Sequence, residues 1–148
     1  MNPLDELGDF VNERREEILK RCADLGRKYN ERIQAHRNWI VEKQTYLNRQ
    51  APPHEWVDGK LTIRPGWVPP SQAWLDAQNE RIKSHEKLFD AAKAAETAAE
   101  SAAEQAHSDM RDLQADWPPE LGPFPVDDTE LPDADECRKS ALKAQVDQ

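Results

Sequence analysis

The sequence has little of what most enzymes and many binding domains are built from. Glycine occurs five times in 148 residues, mostly isolated, too sparse for a phosphate-cradling loop. No GxSxG, P-loop or GxGxxG pattern occurs, and no HExxH or CxxC pair offers metal-ligand spacing. No run of about 18 apolar residues occurs, so no transmembrane helix is expected. The first residues, Met1 to Glu6, are acidic and lack an apolar core, so no secretory signal is expected. Cysteine is limited to Cys22 and Cys137. A bridge between positions so far apart is conceivable, but two reduced thiols are the expected state for a chain made and used in the cytoplasm.

Charge is abundant and unevenly placed. The chain carries a net charge of −9 and a mean hydropathy of −0.96. Residues 1–50 hold 10 basic and 9 acidic side chains, 71–116 hold 5 and 10, and 117–148 hold 3 and 8. The balance opposes binding to a nucleic-acid backbone, which needs clustered Lys and Arg.

Proline divides the chain. The first long proline-free stretch runs from Leu4 to Ala51 and ends at Pro52-Pro53. With Asn2 as a helix cap, Pro3 at the first helical position and Asp5 and Glu6 in the first turn, it predicts one helix over about 3–50. Its apolar positions are Leu7, Val11, Ile18, Cys22, Leu25, Tyr29, Ile33, His36, Ile40 and Leu47. They contain an 11-residue recurrence, the period of a nearly straight pairing. Gly26 interrupts at a cost of about 1 kcal/mol, and His36 is expected to be a core residue.

A second helix is expected over 71–116, capped by Ser71 and stopped by Pro118-Pro119. Its stripe is Trp74, Ala77, Leu88, Ala92, Ala95, Ala99, Ala102, Ala106, Met110 and Leu113. Large side chains on one helix facing alanine on the other predict close packing. Between them, His54 to Ile63 centres on Asp58-Gly59, a signal for a two-residue hairpin turn. The fold expected is therefore all-α: a long antiparallel helical hairpin, coiled-coil-like, over 1–116, with a small β-hairpin at its tip. Residues 117–148 are expected as a Pro-rich acidic tail. Asp133 and Glu136 there would cap a short helix over 134–146.

Apolar surface is in excess near the tip. Trp39, Tyr46, Trp56, Trp67 and Trp74 fall within 36 residues. Leu75, Ile82 and Phe89 form a further seven-residue stripe away from the alanine face. Either the connector covers this surface or it meets a partner. Trp39, Tyr46, Trp56, Trp67 and Trp74 are therefore the candidate partner-binding residues, with Leu121 and Phe124 as anchors in the tail. The acidic residues of the second helix, Glu86, Asp90, Glu96, Glu100 and Glu104, are expected on a solvated outer face.

The function expected is non-enzymatic: a structural or adaptor protein that self-associates or docks on a larger assembly, such as a phage virion or mobile-element component. The alternative is an acidic inhibitor that blocks a basic or nucleic-acid-binding groove of a host protein. The partner is then a protein or a second copy, not nucleic acid, membrane or small molecule. No cofactor, metal or catalytic residue is assigned. The expected setting is the cytoplasm, or a particle assembled there.

Overall fold

The structure is a computed structural model, and it describes residues 3–146. The order of elements is α1 (Pro3–Gln50), β1 (His54–Val57), β2 (Lys60–Ile63), α2 (Gln72–Ala115), two 3-10 turns (Pro119–Leu121 and Asp128–Glu130) and α3 (Ala134–Val146). The protein is thus mostly helical, with one small antiparallel β-hairpin. The proposed Asn2 cap lies outside the described residues. Ser71 Oγ accepts from the Trp74 backbone N–H at 3.1 Å and caps α2.

The chain forms two compact units. One holds residues 3–32 and 92–146, and the other spans Ile33–Ala91. In the first, α1 and α2 segments run antiparallel under the C-terminal arm. Val11 and Ile18 pack with Ala106 and Met110, and Val126 and Leu131 of the arm close over them. Trp117 and Phe124 seal the edge, meeting edge-to-face at 5.3 Å. Beside this cluster, Leu25 packs with Ala99, Ala103 and Cys137. Asp133 Oδ1 accepts from the Glu136 N–H at 2.8 Å, capping α3.

Cys22 and Cys137 are joined by a disulfide, their Cα atoms 5.2 Å apart. The expectation of two free thiols is corrected. The packing of α3 on α1 brings the two together, a proximity that 115 intervening positions conceal. Gly26 has its reason here too. A Cβ at this position would lie 3.1 Å from Ala141 Cβ and 3.2 Å from the Cys137 carbonyl oxygen. The glycine lets the α3 backbone press onto α1.

Glu96 is another correction. It is only 6% exposed, not solvated, because Arg32 and Arg138 both bind its carboxylate. Arg138 also reaches Glu100 at 2.9 Å. Its guanidinium is held further on the charged side by the Glu100 carboxylate. The two arginines flank the Tyr29 ring at 5.2 and 5.9 Å.

In the second unit the helices pack through aromatic and polar side chains. Trp39 stacks on Phe89 at 5.6 Å, and Tyr46 on Trp74 at 6.5 Å. Glu42 accepts from Gln78 at 2.6 Å and from Arg81 at 3.0 Å, with His85 3.7 Å away. Those two donors hold the Glu42 carboxyl below its ordinary value. Gln78 is itself buried and also donates to the Glu42 carbonyl at 3.0 Å.

Burial in both units follows a seven-residue spacing, not the expected eleven. On α1 the inward positions are Val11, Ile18, Leu25 and Arg32 in one unit, and Trp39 and Tyr46 in the other. On α2 they are Glu96, Ala103 and Met110, then Leu75, Ile82 and Phe89. The stripe read as surplus is therefore a packing face. Leu47 and Leu88, expected in the core, are exposed, and so is His36, whose ring rests against Phe89 at 5.0 Å.

Candidate protein-docking site

The hairpin is built locally. Asp58 and Gly59 both have positive φ, 51° and 78°, the backbone that a tight two-residue turn requires. Register pairs His54 with Ile63, Glu55 with Thr62, Trp56 with Leu61 and Val57 with Lys60. Opposed residues share a face, and faces alternate along a strand. One face therefore carries His54, Trp56, Leu61 and Ile63. The other carries Glu55, Val57, Lys60 and Thr62.

The burial of these faces is inverted from the usual arrangement. On the other face Glu55 and Thr62 are half-buried, while Val57 and Lys60 beside the turn are exposed. Trp56, Leu61 and Ile63 stand exposed at 73%, 56% and 53%. An antiparallel sheet normally turns its apolar face inward and its polar face to water. Here the apolar face is the wet one. The ladder is continued by the Arg64 N–H donating to the Pro53 carbonyl at 2.8 Å. Nearby, Arg49 donates to the Val68 carbonyl at 2.8 Å and lies 6.0 Å from the Trp67 ring.

The sequence-nominated residues divide sharply. Trp39, Tyr46 and Trp74 are half-buried in the second unit's helix packing, and Trp67 is half-buried near Arg49. Leu121 and Phe124 are half-buried in the arm, and Phe124 packs on the first unit's core. Trp56 stands out on the exposed face. Leu61 and Ile63 join it there and were missed by a search for aromatics. The signal was present in the turn: fixing Asp58-Gly59 fixes register, and register puts Leu61 opposite Trp56.

Elsewhere, an open cleft of about 370 Å³ is lined by Glu100, Glu104, His107, Arg111, Asp133 and Asp135. His107 Nε2 is 2.8 Å from the Pro132 carbonyl oxygen, which ties the arm to α2. Among the described residues, no helix is long and apolar enough to cross a membrane. No protein-family model, curated protein or solved structure matches the chain.

Proposed function

We propose that the chain is a non-enzymatic adaptor or structural protein that docks through the outward apolar face of its hairpin. The observation that carries this reading is the exposure of Trp56, Leu61 and Ile63 together on one face of a two-stranded sheet. Exposed aromatic and aliphatic side chains in one patch are the composition of an interface centre. The helix pairs act as a coiled-coil-like support, and the arm braces one of them.

The acidic-inhibitor reading draws less support. Two of the carboxylates it would present, Glu96 and Glu100, are bound by Arg138 within the fold. Of the two settings expected, a particle assembled in the cytoplasm fits better than the cytoplasm itself. A disulfide persists on virion and cell surfaces, whereas cytosolic thiols are kept reduced.

Retention of partner on the immobilised protein, at low and high salt, tests the reading. Trp56→Ser and Leu61→Ser should each weaken retention by about 30-fold, the scale of a central anchor. Asp90→Lys with Glu104→Lys, both at exposed positions, should leave it unchanged, and salt should matter little. Loss with the charge reversals alone, together with steep salt sensitivity, would favour the inhibitor.

A further inference from the structure

The exposed hairpin face admits a more specific statement about its occupant. We infer that the face is covered by the same face of a second copy of this chain. This deepens the docking reading and rests on it.

Charge is the first argument. The molecule carries −9, yet residues 51–70 hold only Glu55, Asp58, Lys60 and Arg64, a net of zero. Two copies repel wherever their acidic surfaces approach within a Debye length, about 8 Å at physiological salt. The hairpin, like α1, lies outside the acidic stretches, so two copies can meet there without that repulsion. Its apolar face carries no Asp, Glu, Lys or Arg at all. A basic partner would be drawn instead to the acidic stretches 71–116 and 117–148.

Shape is the second. Under a two-fold axis, Trp56 of one copy would cover Leu61 and Ile63 of the other, and the reverse. Face-to-face sheets pack about 10 Å apart, a gap that one layer of interdigitated side chains fills. A lone two-stranded ribbon is marginal in water. A facing copy turns two such ribbons into a small four-stranded sandwich and removes both wet apolar faces.

Area sets the strength. Trp56, Leu61 and Ile63 together offer roughly 400 Å² per copy, about half of the 800 Å² per partner found in stable complexes. The pairing is therefore weak and reversible, with a dissociation constant in the micromolar range rather than the nanomolar. It becomes important where the chain is concentrated, as in an array.

Sedimentation velocity from about 5 μM to 1 mM tests this across the expected constant. The mass should rise from 17.0 kDa toward twice that value, and added salt should leave the rise intact or strengthen it. Trp56→Lys and Leu61→Lys should hold the protein at monomer mass without changing its circular dichroism, since both side chains are exposed. Val41→Lys, an equally exposed apolar site on α1, should dimerise like the parent. Dimerisation that survives Leu61→Lys overturns the inference. So does a parent that remains monomeric at 1 mM. A Leu61→p-benzoylphenylalanine photo-crosslink then separates the two readings. Capture of a different protein in source-cell lysate, with no self-crosslink in the pure protein, overturns the second copy and leaves docking standing. Capture of nothing in either setting overturns both.

Discussion

The same two helices are held together in different ways in the two units. In residues 3–32 and 92–146, the contact is aliphatic and small: Ile18, Leu25, Ala99, Ala103, Met110. A third layer covers it, and a disulfide ties that layer down. In Ile33–Ala91, aromatic rings and a Glu42-centred cluster make the contact. The contrast teaches that alanine suits a helix pair when another element can cover the thin seam. Where cover is absent, large rings and long polar side chains close the seam by themselves. The hairpin extends this second style, leaving its apolar face to a partner.

The comparison can be broken in four places. The largest effect is expected from removing the bridge. In the chain-entropy view, a cross-link across 115 residues is worth about 5 kcal/mol. Cys22→Ser with Cys137→Ser should therefore lower the melting temperature markedly. The loss should also be local. Along the 13-residue α3, Cys137 is buried and Ala134, Arg138, Ala141 and Leu142 are half-buried, and a helix that short is marginal alone. Residues 117–131 keep larger anchors in Trp117, Phe124, Val126 and Leu131. Hydrogen exchange should show α3 unprotected while Ile33–Ala91 is unchanged. Equal loss in both units would refute the division.

Next is Leu25→Ala. Leu25 is fully buried, so its truncation should cost about 3 kcal/mol by urea denaturation. Ile82→Ala, at a half-buried position of the other unit, should cost less than half of that. Smaller still is Gly26→Ala. Alanine gains about 1 kcal/mol of helix propensity, but its Cβ meets the Cys137 carbonyl at 3.2 Å. The substitution should destabilise the bridged protein and stabilise the reduced one. The same sign in both states would mean that α3 does not press on Gly26.

The smallest effect is acid sensitivity of the Glu42 cluster. Its folded carboxyl is held below the ordinary 4.5 by Arg81 and Gln78. The stabilisation is thus present above pH 4.5 and lost as pH falls through the lowered value. Glu42→Gln should flatten that acid limb in a tryptophan-fluorescence titration. An unchanged limb would assign it to other carboxylates.

Local features were the legible ones. Proline placement marked the ends of α1 and α2, Asp58-Gly59 marked the hairpin, and Asp133 with Glu136 marked the start of α3. Each is decided within a few residues. The helix face was not legible, because polar side chains occupy inward positions: Arg32, Gln78, His85 and Glu96. A hydrophobicity search passes over them. The alanine-rich stretch Ala91 to Ala106 then fits almost any period. Once Arg32 and Glu96 are paired across the interface, the seven-residue spacing is continuous. The bridge was hidden for a related reason, since a two-cysteine sequence carries no information about which elements fold back on which. The docking face was half visible: Trp56 by type, Leu61 and Ile63 only through register.

The most direct measurement is hydroxyl-radical footprinting of the dilute, intact protein, read residue by residue by mass spectrometry. The outward face predicts that Trp56, Leu61 and Ile63 are oxidised several times faster than Trp39, Trp74 and Trp117, and become protected as concentration rises. Trp56 shielded like Trp39 in the dilute protein would mean that the hairpin turns its apolar face inward, and the docking surface would not exist.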